Sequence, residues 1–278
     1  MTSDNLLALK GITKEYKEFR LGPLDLSVPR GYVMGLVGAN GAGKTTAIKI
    51  ALGAVLPGNG SAHLIDKTRV GVVLDQPCWQ ATWRVRDLSR LLGPFYPGWD
   101  QRVFDELCEW AGVSQRLKVR EFSRGMGMKV QVAVALAHRA ELLVLDEPTS
   151  GLDPLARSEL LDKLSEFMTD ERHSVLFSTH ITTDLDRMAD LITILDAGRV
   201  IASGARDDLL EAWAMVRGGA TDLTGELRAR IRGLRQHSAG WEGLIAAADL
   251  GLCGTGVVAD TPSVEDLLVH LTKERKDA

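Results

Sequence analysis

Residues 38–45 read Gly38-Ala39-Asn40-Gly41-Ala42-Gly43-Lys44-Thr45, following the apolar run Tyr32–Val37 and opening a helical segment. Strand, glycine turn and helix in this order form the context of a phosphate-binding loop. Gly38, Gly41 and Gly43 let backbone N–H groups close around phosphate oxygens, and the helix N-terminus adds a positive dipole. Lys44 reaches the outer phosphates, and the Thr45 hydroxyl is suited to magnesium. Asn40, Ala42 and Thr46 belong to the same nucleotide-binding stretch. The competing reading is a glycine-rich turn with an exposed lysine.

A second apolar run, Leu142–Leu145, delivers Asp146 and Glu147 at its C-terminal end, where α/β sheets place their ligands. Asp146 is the residue to hold magnesium, and Glu147 is placed to polarise the water that attacks a γ-phosphate. Alone, the pair would be an ordinary solvated acidic turn. Further runs at Val70–Leu74 and Val175–Phe177 read as strands buried on both faces. Val85, Leu88, Leu91 and Leu92 share one helical face, and Val103, Phe104, Leu107 and Cys108 another, with Asp100 as N-cap. Strands alternating with helices imply a parallel α/β sheet. Ile192–Gly204 reads as a terminal hairpin around Asp196-Ala197-Gly198.

The 278 residues, 45% apolar and 25% charged, suit one or two folded domains. A formal net charge of −4 provides no global positive field for nucleic acid or anionic lipid. Cys78, Cys108 and Cys253 include no close pair, which argues against a disulfide framework or a cysteine-based zinc site and for a reducing cytoplasm. The opening MTSDNLLALK lacks a charged-then-apolar leader, and no apolar run approaches membrane-spanning length, so the expectation is a chain neither secreted nor spanning. From about Gly204 the character changes. Residues 205–278 read as an accessory domain: a helix, a glycine-rich connection, short strands near Trp241 and Val257, and a last helix capped by Ser263. Arg228, Arg232 and Arg235 fall near i, i+4 and i+7 on a predicted helix, a basic face for anionic lipid or nucleic acid, or simply a solvated one.

Three further segments, Phe122-Ser-Arg-Gly-Met126, Ser150-Gly-Leu-Asp153 and Ser178-Thr-His180, follow in the order and spacing of an ABC transporter ATPase, which the chain resembles over roughly residues 6–204. The resemblance implies an ABC ATPase core, a parallel sheet with flanking helices and antiparallel edge strands, comprising residues 1–204 with a helical subdomain at about 78–138. The C-terminal part is then a small α+β appendage. It further implies a head-to-tail dimer holding ATP and Mg2+ between one subunit's phosphate loop and the other's signature segment. Ser123 and Gly125 then contact the γ-phosphate bound by the partner, Asp153 belongs to the loop joining the two sites, and His180 contacts the γ-phosphate and helps hold Glu147 and the attacking water. Tyr16 matches the aromatic that stacks on adenine, the alternative being an edge-strand ring packed on the core. On this carry-over the catalytic set is Glu147, His180 and Lys44.

The departures are specific. The family signature usually reads Leu-Ser-Gly-Gly-Gln, so Phe122, Arg124 and Met126 are changes, whereas Ser123 and Gly125 remain. Where most relatives carry a glutamine, Val72-Val-Leu-Asp-Gln76-Pro77 places Asp75 in ungapped register with Gln76 beside it, and either side chain is suited to magnesium. The segment 58–69 is shorter than usual, which leaves the nearby antiparallel strands open.

Gly93–Asp100, the Ser-Arg-Gly-Met-Gly-Met128 signature, Phe177–Ile181 and Gly240-Trp-Glu-Gly243 resemble the YtrB group of bacterial exporter ATP-binding subunits. That likeness implies a separate transmembrane permease as partner, a second ATPase subunit, no nucleic acid, a cytoplasmic place at the inner membrane face, and a role in efflux or envelope antibiotic stress. Trp79, Trp83, Trp99 and Trp110 crowd between the phosphate loop and the signature. Some would fill the helical subdomain; Trp79 and Trp83 are the candidates for the permease contact. The rival readings are a soluble ABC protein acting on nucleic acid or the ribosome, and a cassette that binds ATP without hydrolysing it.

Overall fold

The computed structural model describes residues 4–273. In chain order come β1 (Asn5–Glu15), β2 (Arg20–Pro29), β3 (Val33–Val37), α1 (Lys44–Ala51), β4 (Asn59–Leu64) and β5 (Val70–Val73). The helices α2 (Val85–Leu92), α3 (Gln101–Trp110) and α4 (Arg124–Ala137) follow. Then β6 (Leu142–Asp146), α5 (Pro154–Phe167), β7 (Ser174–Thr179), α6 (Thr182–Met188), β8 (Leu191–Asp196) and β9 (Arg199–Ala205) complete the larger part. The C-terminal part holds α7 (Arg206–Glu211), β10 (Trp213–Gly218), α8 (Gly225–Arg230), β11 (Arg232–His237), β12 (Gly240–Ala246), β13 (Val258–Asp260) and α9 (Val264–Lys273).

Six strands form the main sheet in the order β5-β6-β7-β3-β8-β9, parallel except for the β8–β9 hairpin at its edge. Every residue of β3, β6 and β7 is buried, because both faces of the sheet are covered. One face packs against α1 and the antiparallel sheet β2-β1-β4, through Leu36, Val144 and Leu176 against Ile48, Leu9 and Leu24. The other packs against α4 and α5 through Leu143, Leu145 and Phe177 against Val132, Leu160 and Leu164. The short segment 58–69 still supplies a strand: β4 pairs with β1 from Leu7↔Leu64 to Thr13↔Asn59.

Helices α2, α3 and α4 enclose a separate core around Val85, Leu88, Phe104, Leu107 and Val130. Asp100 caps α3 as the sequence predicts, accepting from the N–H groups of Arg102 and Val103. Trp79, Trp83, Trp99 and Trp110 are all half-buried against this core, whereas the neighbouring Phe95 is 74% exposed.

The predicted helix carrying Arg228, Arg232 and Arg235 does not form as one element. Arg228 lies in α8, but Arg232 and Arg235 lie in β11, which pairs with β12. The reason is local: Gly233 takes φ +58° with the His270 backbone against it, and Gly243 lets Ile231 approach β12. The basic face is thereby split between two elements. The C-terminal sheet, ordered β11-β12-β10-β13, also contains β10, where the sequence suggested a continuing helix or connection. Ser263 caps α9 as expected: its hydroxyl accepts from the Asp266 N–H at 3.1 Å while its own N–H donates to the Asp266 carboxylate at 2.9 Å. Met215, Leu244, Val264 and Leu267 join the core beneath Leu185 and Ala189, so this sheet and α9 bury one face against the main unit. Among the described residues no helix is long and apolar enough to cross a membrane.

Candidate functional site

Strands β5, β6, β7 and β3 lie in adjacent order and end on the same edge, with Val73 beside Leu145, Asp146 beside Ser178 and Val37 beside Thr179. The loops that follow these strands therefore converge, as they do at the carboxyl edge of open α/β sheets. They enclose a cavity of about 520 Å³ lined by residues 40–46, Phe19, Asp75, Asp146 and Glu147.

The phosphate loop leaves β3 at Gly38, where a Cβ would lie 2.2 Å from the Leu195 carbonyl oxygen. Gly41 and Gly43 adopt φ of +82° and +110°, conformations that turn the loop over the start of α1. The Lys44 ammonium is buried, donating to the carbonyls of Gly38 at 2.7 Å and Ala39 at 3.3 Å and lying 3.0 Å from Glu147 Oε1. It is a cation poised beneath the loop, held by contacts that phosphate oxygens can replace.

Asp146 is hydrogen-bonded through both oxygens, accepting from Thr45 Oγ1 at 2.8 Å and from Ser178 Oγ at 3.0 Å. A hydroxyl and a carboxylate are hard oxygen donors of the kind magnesium takes together with phosphate and water. Among the described residues no group of three or more His, Cys, Asp or Glu could hold a metal ion. Thr45 and Asp146 fit a magnesium ion that shares its remaining ligands with a nucleotide.

Glu147 occupies the left-handed region at φ +53°, a conformation that costs about 1–3 kcal/mol for a residue with a Cβ. Oε2 accepts from His180 Nδ1 at 2.7 Å and from the His180 backbone N–H at 3.3 Å. An ionised carboxylate only accepts, so the fitting tautomer carries its hydrogen on Nδ1. Oε1 is buried and makes only the ionic contact with Lys44, without a hydrogen-bond partner. That acceptor, beside the phosphate-loop lysine, is suited to orient a water.

The remaining candidates divide. Ser123 caps α4, accepting from the Met126 N–H, and Gly125 packs near Ala156 and Leu152. Neither is among the residues lining the cavity of their own phosphate loop. Asp153 caps α5, accepting from the N–H groups of Leu155 and Ala156. Asp75 is on the cavity wall, ion-paired with Arg124, whereas Gln76 lines an adjoining cavity against α4. Tyr16 is 47% exposed and stands 6.4 Å, ring to ring, from Phe19; it is Phe19 that lines the cavity.

Sequence reasoning passed over Phe19, whose only signal is its place in the connection between β1 and β2; its ring end would lie 2.9 Å from a Cβ on Gly43. It also passed over Asp184, 1% exposed, which accepts from Arg157 Nε at 2.8 Å and Thr149 Oγ1 at 2.5 Å. This pair of bonds anchors the turn after Glu147 to α5 and α6.

The family profile described as ABC transporter matches residues 21–150. A Nod factor export ATP-binding protein I from Cupriavidus pinatubonensis is 34% identical over 224 residues, 74% of this chain and 68% of that protein. The bacitracin transport ATP-binding protein BcrA of Enterococcus faecalis is 28% identical, over 72% of this chain and 70% of its own. Among solved structures, an ATP-binding subunit of an ABC transporter superposes with a TM-score of 0.65 at 29% identity, covering 73% of this chain and 91% of the other. With phosphate loop, carboxylate pair and histidine gathered at one sheet edge, the chain belongs to the ABC transporter ATP-binding family, and it is an ABC ATPase.

Proposed function

We infer that this chain is the ATP-hydrolysing motor of a bacterial ABC exporter, working with a separate membrane permease in efflux or defence of the cell envelope. The observation that carries the hydrolytic reading is Glu147, aimed at the phosphate-loop lysine by its left-handed backbone and by His180. The export reading rests on relatives named for Nod factor export and bacitracin transport, and on the likeness of the Gly93–Asp100 and Gly240–Gly243 segments to the YtrB group.

In this reading, Lys44 and the N–H groups of residues 40–46 bind the phosphates, while Phe19 and Tyr16 flank the base. Thr45 and Asp146 would hold a magnesium ion, which when bound would supply positive charge against the phosphates. Glu147 takes a proton from the attacking water as it approaches the γ-phosphate, and His180 fixes the carboxylate. Asp75 lines the same cavity, where its carboxylate is an additional, optional oxygen donor for the cation, and Gln76 lines the adjoining one. Ser123, Gly125 and Asp153 face a second ATPase subunit, so two ATP molecules add contacts across the interface and hydrolysis removes them. In this reading the exposed Phe95, with the half-buried Trp79 and Trp83 of the helical subdomain, offers the permease an aromatic contact, and the complex works at the inner face of the membrane. Residues 205–278 act as an accessory unit supporting or regulating that dimer.

Steady-state ATP hydrolysis measured against protein concentration, with size-exclusion chromatography in ATP and the Glu147→Gln variant alongside, tests this. Turnover per subunit rises with concentration, and the variant is inactive but dimeric in ATP. ATP binding without turnover at any concentration would instead favour the cassette that binds without hydrolysing.

A further inference from the structure

Two of the departures from the family pattern, Asp75 and Arg124, are in contact. One guanidinium nitrogen of Arg124 holds the Asp75 carboxylate, and Nε donates to the Ser150 carbonyl. A single side chain at the first turn of α4 thus ties the loop after β5 to the turn that begins at Glu147. Gly151 sits directly beneath the guanidinium, where a Cβ would lie 3.1 Å from Nε.

The backbone carrying Asp75 is fixed separately. Gln131, 4% exposed on α4, accepts from the Leu74 N–H at 3.0 Å and donates to the Leu74 carbonyl at 2.9 Å. The Asp75 backbone is therefore held next to the nucleotide cavity whatever its side chain does, and only the carboxylate is free to choose a partner. The ion pair is exposed, at 39% and 47% for its two side chains, and so is weak enough to exchange.

We propose that Arg124 is a positioning residue that withholds Asp75 from the nucleotide-bound cation, so that Asp75 is an optional cation ligand whose engagement releases the guanidinium from the signature end of α4. The proposal rests on the reading of the cavity as an ATP–magnesium site. A carboxylate with two cationic partners in reach divides between them according to their charge and distance. In the wild type the guanidinium in contact and a cation already screened by phosphate oxygens are closely matched, so Asp75 adds little net affinity for the cation, and whenever it engages the cation the contact with α4 is given up. A guanidinium suits the withholding role because its fork can hold a carboxylate and a carbonyl at once, which an ammonium on a flexible stem does less well.

The test uses Mn2+ as the cation probe and ADP as the nucleotide, with protein in excess over ADP and bound Mn2+ read by electron paramagnetic resonance. In Arg124→Gln, Asp75 loses its competitor, and the half-saturating Mn2+ concentration falls by about fivefold, the effect of one carboxylate joining the cation in a wet site. Adding Asp75→Asn to that variant returns the value to that of the wild type, whereas Asp75→Asn alone moves it little. Arg124→Gly, the residue type usual at that signature position, gives the same fall and guards against a folding defect peculiar to Gln. An unchanged or raised half-saturation in both Arg124 variants overturns the proposal, as does a large rise in Asp75→Asn alone, which would mean that Asp75 already serves the cation. Wild-type protein that binds no Mn2+ with ADP would instead overturn the underlying reading of the cavity, and this proposal with it.

Discussion

Glu147 and His180 are joined twice, since Oε2 accepts from the ring Nδ1 at 2.7 Å and from the backbone N–H of the same histidine at 3.3 Å. The two residues come from adjacent strand ends, β6 and β7, so the link spans the sheet edge where the phosphate loop also begins. The double contact offsets the left-handed backbone of Glu147, which would otherwise relax and swing the carboxylate away.

His180→Ala keeps the backbone donor and removes the ring. The carboxylate then loses its better-aligned hold, and a misplacement on the order of 1 Å lowers kcat by about 10²-fold. KM for ATP changes far less, because Lys44 and the phosphate loop are untouched. Equal effects on both constants in steady-state assays would remove His180 from its positioning role.

Gly38 and Gly41 separate steric need from backbone need. A Cβ on Gly38 meets a carbonyl oxygen at 2.2 Å, whereas a Cβ on Gly41 meets nothing within 4 Å but is forced to φ +82°. Gly41→Ala therefore costs about 1–2 kcal/mol in unfolding free energy, and Gly38→Ala costs more, with loss of nucleotide binding. Urea melts and a fluorescent-nucleotide titration of the two variants check the ranking; the reverse order would contradict the loop geometry.

Gln131→Met preserves the volume of a buried side chain but leaves the N–H and the carbonyl of Leu74 without their partners. The expected loss is about 2 kcal/mol, or a Tm lower by about 4–8 °C in a chain of this size. A melting temperature within a degree of the wild type would show that water replaces both bonds.

The phosphate loop and the Asp146-Glu147 pair were legible because each is short, contiguous and fixed by its own strand end. Asp100 and Ser263 were legible for a similar reason: a cap acts within three residues. Phe19 was not, because it reaches the site by crossing Gly43, a contact made between the β1–β2 connection and the phosphate loop that no local pattern announces. Arg228, Arg232 and Arg235 misled because their spacing suits a helix, whereas Gly233 against the His270 backbone and the pairing with β12 decide the outcome. Strand β10 was hidden in the same way, as its pairing comes from β12 on one side and β13 on the other, both distant in sequence. The Asp75–Arg124 pair stood in the sequence as two separate oddities, and only the fold makes them one feature.

His138 gives the molecule an acid-sensitive point outside the nucleotide site. It ends α4, is 3% exposed and stacks on the Tyr96 ring at 4.1 Å, and its Nδ1 is buried without a hydrogen-bond partner. Burial holds its pKa below the usual 6.5, partly opposed by the nearby backbone of His138 itself and of Thr68. The unfolded chain therefore takes up a proton here before the folded one does. The stability that the neutral ring contributes is complete above about pH 6.5 and is lost as pH falls from there toward the folded-state pKa, at no more than about 1.4 kcal/mol per pH unit. Acidification also weakens carboxylates held in ion pairs, such as Glu141 between Arg69 and Arg30, so absolute melting curves mix several groups. His138→Phe isolates the ring: it keeps an aromatic partner for Tyr96 and removes both the titration and the orphaned nitrogen. The difference in Tm between this variant and the wild type should widen in favour of the variant as pH is lowered from 7 to 5, and a difference that stays constant over that interval would exclude His138 as the source.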